Sequence, residues 1–233
     1  MRQARIREML RVIESEFAYA APITGRKALD ERVMAAMGEV PRDEFVPAEL
    51  KSAAFADNAL PIGDGQTISQ PFIVALMTDL LESGEDDVIL EVGTGSGYQA
   101  AILSTLVKKV YSIEVLPDLA HKAAERLRRL GYANVETCTG NGYLGLPEHA
   151  PYDGIIVTAA ASHLPPPLIE QLKPGGRLVI PIGLPYQHQE LMLVEKDEEG
   201  ETHTRSVLGV AFVPLTGGRG NGGERGEKLE GNP

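Results

Sequence analysis

Residues 88 to 101 read Val88-Ile89-Leu90-Glu91-Val92-Gly93-Thr94-Gly95-Ser96-Gly97-Tyr98-Gln99-Ala100-Ala101, and this order decides the fold. The first five are apolar and partly β-branched, as in a strand buried on both faces, with one carboxylate, Glu91, near the carboxyl end. Gly93, Gly95 and Gly97 then allow a tight turn and a close approach to a ligand where a Cβ would collide. From Tyr98 the pattern becomes helical. A strand, a glycine loop and a helix in that order make a nucleotide-ligand site.

The spacing narrows the ligand. A dinucleotide fingerprint places its third glycine at the sixth position of the loop, which here is Tyr98. The observed GxGxG loop, with an acid two residues before its first glycine, looks like the cofactor loop of S-adenosylmethionine-dependent methyltransferases. Such a cofactor carries an ammonium and a sulfonium, so Glu91 attracts it where it would repel a pyrophosphate. Glu114 supplies the second landmark, closing the strand Val110 to Val115 and lying 21 residues past Gly93 (93 to 114). An acid about 20 residues after the first glycine meets ribose hydroxyls in βαβ nucleotide units.

Composition sets outer bounds. With 233 residues, 43% of them hydrophobic, the chain is long enough to bury a substantial core, and alternating helix and strand patterns indicate an α/β class. The single cysteine, Cys138, excludes an intrachain disulfide and suits a reducing compartment. His121, His149, His163, His188 and His203 lack metal-ligand spacing, so no metal site is expected. No signal-peptide pattern or membrane-length apolar run is found, which predicts a cytosolic protein. A net charge of −11 would repel a phosphate backbone, arguing against nucleic acid as a partner.

Along the chain, residues 1–85 are predicted to be a mostly helical region with a substrate loop, 86–216 the cofactor-binding core, and 217–233 a flexible Gly-rich tail. Met9, Leu10, Ile13 and Phe17 recur at helical spacing, as do Leu29, Val33, Met34 and Met37 after a break at Pro22 to Gly25. Asp30 reads as a helix start and Gly38 with Pro41 as a stop. Ala59 to Pro71 is rich in Pro, Gly and small polar residues and is expected to form no regular element. A helix follows from Phe72 to Leu81, and by pattern alone Ser69 reads as its cap. Seven strands are expected, at 88–92, 110–115, 135–139, 153–158, 177–182, 190–196 and 206–215, with helices at 117–130 and 164–172. The turn Gly140-Asn141-Gly142 after the third strand lies where open α/β sheets place ligands.

Three blocks together resemble the protein-L-isoaspartate O-methyltransferases: VPRDEFVP (40–47), ALPIGDGQTISQP (59–71) and LEVGTGSGYQAAIL (90–103). PYDGIIVTAAA, QLKPGGRLVIPIG and FVPLTG add support, so the similarity spans nearly all of residues 5–218. The resemblance implies a Rossmann-like, mostly parallel seven-stranded sheet carrying an N-terminal helical extension. It implies S-adenosyl-L-methionine as cofactor and S-adenosyl-L-homocysteine as product. Ser69 matches the family's active-site serine, with Gln66, Thr67 and Ile68 beside the cofactor and substrate approach. Gly93, Thr94, Gly95, Ser96 and Gly97 match the glycine loop, Glu114 the ribose acid and Thr216 the threonine of VPLT. Glu91, Val115, Asn141 and Gly142 complete the cofactor candidates. Many relatives carry aspartate where this chain has Asn141, whose amide oxygen can still accept a hydrogen bond from an adenine amino group.

The implied reaction methylates the free α-carboxylate of L-isoaspartyl residues in damaged proteins and peptides, starting repair through a succinimide. That carboxylate is ionised at neutral pH, so no general base is needed and Ser69 would orient the acceptor. A monomer is favoured. The alternatives are a methyltransferase acting on a small molecule or RNA, a nicotinamide-dependent oxidoreductase, and an inactive binding module. The Asn221-Gly222 pair in the tail is also prone to succinimide formation, so the tail is a candidate substrate of its own enzyme.

Overall fold

In a computed structural model the described residues are 2–26, 28–185 and 187–217. The expected tail behaviour, and the Asn221-Gly222 pair, lie outside them. A seven-stranded sheet forms from β3 (Val88–Val92), β4 (Lys109–Glu114), β5 (Val135–Thr139), β6 (Tyr152–Val157), β7 (Leu172–Gly183), β8 (Gln189–Lys196) and β9 (Thr202–Val210). Their spatial order is β5-β4-β3-β6-β7-β8-β9. The first five are parallel, and β8 and β9 return antiparallel.

Strand alternation explains the layering. On β3, Ile89 faces one apolar cluster while Leu90 and Val92 face the other, and on β6 Ile156 opposes Ile155 and Val157 in the same way. Both faces are therefore covered, as near-continuous apolar strands require. The first cluster also takes in α1 (Arg2–Thr24), α2 (Glu31–Glu39), α3 (Pro71–Leu80) and α4 (Tyr98–Ser104), so the N-terminal helices share one core with the sheet. The second lies under α6 (Pro166–Glu170), and α5 (Pro117–Leu130) presses Leu119, Ala123 and Leu127 inward.

Local signals account for most boundaries. Asp30 caps α2, its side chain accepting from the Arg32 backbone at 2.8 Å. Gly131 ends α5 in the left-handed conformation. Helix α1 runs through Pro22 to Thr24 and ends within the expected break from Pro22 to Gly25, because Gly25 at φ +72° supplies the terminating conformation there.

Two expectations are overturned here. The last strand, expected at 206–215, runs from Thr202 to Val210, and the residues after it leave the sheet. Residues 60–68, expected to form no regular element, fold into a hairpin of β1 (Leu60–Gly63) and β2 (Gln66–Ile68). Asp64 and Gly65 both have positive φ, 53° and 71°, as the central pair of a type I′ turn requires. Asp-Gly between two short apolar runs is a hairpin signal, and the surrounding prolines and glycines obscured it.

A chain of ion pairs, buried at Asp79, ties the helical layer to the sheet. Asp79, its side chain fully buried, accepts from Arg26 at 2.7 Å and from the Asp30 backbone at 2.8 Å. Arg26 also pairs with Glu82, which pairs with Arg177 on β7 at 2.7 Å.

Candidate functional site

The strand order reverses between β3 and β6, and open α/β sheets bind ligands at the carboxyl ends of such a pair. Here β3 delivers the glycine loop and β6 delivers Thr158. Gly93 adopts φ +97°, and a Cβ on it would lie 2.5 Å from the Thr158 hydroxyl. That hydroxyl donates to the carbonyls of Gly93 and Val92, clamping the start of the loop onto the neighbouring strand. Gly97, at φ +86°, opens α4, and Arg126 from α5 holds the loop from outside by donating to the Ser96 carbonyl at 2.7 Å.

Two acids stand at the strand ends in different surroundings. The Glu114 carboxylate accepts from the backbone N–H groups of Gly95 at 2.9 Å, Val115 at 3.0 Å and Leu116 at 3.1 Å. Three amides thus fix it between the glycine loop and the turn after β4. Glu91 is fully buried. One of its oxygens accepts from Ser112, which hydrogen-bonds Thr94 at 2.6 Å, and the other, Oε1, has no partner among the described residues. Burial pushes the Glu91 carboxyl up to about 8, and the charge on Glu114 adds to the rise.

A third wall comes from the hairpin. β2 leads into Ser69 and then α3, whose N-cap is Gln70 and not Ser69. The α3 amino end is satisfied from a distance by Asp57, which accepts from the Phe72 backbone at 2.9 Å and from Gln70 Nε2 at 2.7 Å. The Ser69 hydroxyl is left without a hydrogen bond among the described residues. Opposite, residues 211–217 cross the sheet end as a strap. It is pinned where Ala160 donates to the Val213 carbonyl and Leu215 to the Ala160 carbonyl, each at 2.8 Å. Asn141 Nδ2 donates to the Gly217 carbonyl at 2.6 Å, while its Oδ1 accepts from Tyr143 at 3.0 Å.

These walls enclose a pocket of about 760 Å³, counting its mouth. Of the candidates read from the sequence, Gln66, Thr67, Ile68, Ser69, Glu91, Gly93, Thr94, Gly95, Ser96, Glu114, Val115, Gly142 and Thr216 all line it. Gly97 and Asn141 do not. Gly97 packs behind the loop against Leu127, and Asn141 ties the strap to the β5 turn. Its neighbour Gly142 occupies the wall, where a Cβ would run into Val92 and Leu215. Thr158, Gln99, Leu116 and Leu215 also line the pocket and escaped the sequence reading, while Ala159 lines it as a small residue just past the end of β6. Thr158 had a usable signal, since a hydroxyl at the end of a buried strand beside a glycine loop has few other partners.

The chemistry of this lining fits a cationic nucleoside ligand. No lysine or arginine faces the pocket among the described residues, while Glu91 lies in its wall with one buried carboxyl oxygen left without a partner. Such an oxygen suits an ammonium or sulfonium and is unsuited to a pyrophosphate. Glu114 stands where ribose hydroxyls are met.

Comparison with known proteins agrees. A family model described as protein-L-isoaspartate(D-aspartate) O-methyltransferase matches residues 22–220. A Syntrophobacter fumaroxidans protein-L-isoaspartate O-methyltransferase 2 is 62% identical over 91% of this chain and 85% of its own length. The Nitrosococcus oceani counterpart is 61% identical over 91% and 96%. A solved protein-L-isoaspartate O-methyltransferase superposes with a TM-score of 0.78 at 28% identity, covering 91% of this chain and 66% of that one. A Plasmodium falciparum structure described as such an enzyme, in complex with S-adenosyl-L-homocysteine, superposes with a TM-score of 0.71 at 25% identity over 88% and 97%.

Proposed function

The chain belongs to the protein-L-isoaspartate(D-aspartate) O-methyltransferase family, and from that membership we infer that it methylates the free α-carboxylate of L-isoaspartyl residues in damaged proteins and peptides. S-adenosyl-L-methionine is the methyl donor, supplying an electrophilic methyl group on a sulfonium. The observation that carries the reading is a single pocket lined both by the glycine loop with Glu114 and by the segment bearing Ser69.

The residues take separable parts. Glu114 would hold the ribose hydroxyls, its carboxylate already oriented by three backbone amides. Glu91 would face the cationic end of the donor, and the glycine loop would lie against the nucleoside. The acceptor needs no deprotonation, since an α-carboxylate ionises at about 3.3 to 3.7. The chain therefore has to bind, align and exclude water, contributions worth up to roughly 7 to 11 kcal/mol when the geometry is favourable. Ser69, half-buried at the pocket wall with an uncommitted hydroxyl, would donate to the acceptor carboxylate and orient it. Product ester and donor by-product leave the same cleft, and the ester closes to a succinimide without further help from the protein.

The net charge of −11 supports a peptide or protein acceptor in place of nucleic acid. No described helix is long and apolar enough to cross a membrane. A cytosolic site of action is supported by the single cysteine.

The deciding experiment measures labelled methyl transfer from S-adenosyl-L-methionine to matched peptides containing isoaspartate or aspartate. Labelling of the isoaspartyl peptide alone is expected. Equal labelling of both, or of neither, would defeat the assignment.

A further inference from the structure

The VPRDEFVP block places a guanidinium in the protein interior. Arg42 has no solvent exposure, and no carboxylate lies within ion-pair distance of it among the described residues. A buried cation without a counter-ion is costly, so its remaining contacts must hold it. Every hydrogen bond it makes goes to a main-chain carbonyl. Nε donates to Ala54 at 2.8 Å, and Nη2 donates to Ser69 at 2.8 Å and to Asn58 at 3.3 Å. The face of the guanidinium lies 4.8 Å from the ring centre of Tyr98, the first residue of α4, which itself lines the cofactor pocket.

We propose that Arg42 is a positioning residue that sets the Ile68–Gln70 segment, and with it Ser69, against the cofactor helix. The proposal rests on the reading of Ser69 as the group that orients the acceptor. One planar fork reaches two loops and stacks on a third element, so it fixes the peptide plane of Ser69 relative to α4. The Ser69 hydroxyl stays free because its carbonyl, and not its side chain, carries the anchoring bond. Asp57 completes the brace from the other side, holding Gln70 and the first turn of α3. A lysine keeps the charge but offers one compact donor group with no planar fork, so it cannot span the same three carbonyls. This also gives a physical reason for an arginine between Pro41 and Asp43.

The test compares Arg42→Lys with Ile13→Ala, which opens a cavity in α1 and controls for lost stability. Four quantities are measured on the full chain: kcat and KM for an isoaspartyl peptide at saturating S-adenosyl-L-methionine, Kd for S-adenosyl-L-homocysteine, melting temperature, and hydrogen exchange of residues 54–58 and 66–70. Arg42→Lys is expected to lower kcat/KM for the peptide by roughly tenfold to a hundredfold, the cost of a misplacement of up to about 1 Å. The Kd should change less than about twofold, and exchange should rise in both loops. Ser69→Ala combined with Arg42→Lys should lose less than the two single effects multiplied. A loss in Arg42→Lys no greater than in Ile13→Ala at matched melting temperature overturns the proposal, as does unchanged exchange in the two loops. If Arg42→Lys behaves as expected while Ser69→Ala is inert, the segment is positioned by Arg42 and the role given to Ser69 is what fails.

Discussion

Replacing Glu91 with glutamine should stabilise the ligand-free protein at alkaline pH and leave its stability unchanged in acid. Glu91 is fully buried, and its carboxyl sits at about 8 against an ordinary value of 4.5. The folded state therefore binds this proton more tightly than the unfolded state does. Below 4.5 both states are protonated and the group is neutral in its effect. Between 4.5 and 8 unfolding releases the proton, so stability falls as pH rises, and above 8 the full penalty applies. That gap corresponds to about 5 kcal/mol, at about 1.36 kcal/mol per pH unit. Glutamine has the same shape, keeps an oxygen for the Ser112 hydroxyl and does not titrate. Urea unfolding of both proteins at pH 5 and pH 8.5, at one ionic strength, isolates the effect, because every other titrating group is shared. The Gln variant should gain several kcal/mol over wild type at pH 8.5 and no more than about 1 kcal/mol at pH 5. An equal difference at the two pH values would refute the reasoning. The same substitution should weaken S-adenosyl-L-methionine binding, since the carboxylate that costs stability is the one proposed to meet the donor's cationic end.

Ser69→Ala should lower turnover on an isoaspartyl peptide while keeping cofactor affinity within about a factor of ten, as steady-state kinetics and calorimetry will show. Asn141→Asp removes the donor to the Gly217 carbonyl and sets two acceptors face to face, so calorimetry should find cofactor affinity about fivefold to tenfold weaker. An unchanged or tighter Kd would mean that the strap does not depend on this bond. Asp79→Ala leaves Arg26 and the Asp30 N–H without their buried partner and should cost about 3 kcal/mol in urea unfolding.

The parallel sheet was readable because its central strands, β3 and β6 above all, are apolar runs ending in glycine or small residues, as strands buried on both faces are. Glu114 was readable because one spacing rule connects it to Gly93. The hairpin was missed because its strands are four and three residues long, too short for alternation to register among prolines and glycines. Arg42 was missed for a different reason. Its burial depends on carbonyls at 54, 58 and 69, which come together only after the chain has folded. Asn141 illustrates the same limit, since its position after β5 was visible but its partner 76 residues away was not.

The hairpin has a consequence for engineering. Its tip at Gly63–Gly65 is exposed, and its second strand runs into Ser69, whose carbonyl Arg42 holds. On the proposed reading of Ser69, this short stretch would bear on acceptor choice, while Glu114 and the glycine loop would hold the donor. Lengthening or rewriting the tip while keeping the base would redirect the same methyl group toward other carboxylates without rebuilding the nucleoside cradle.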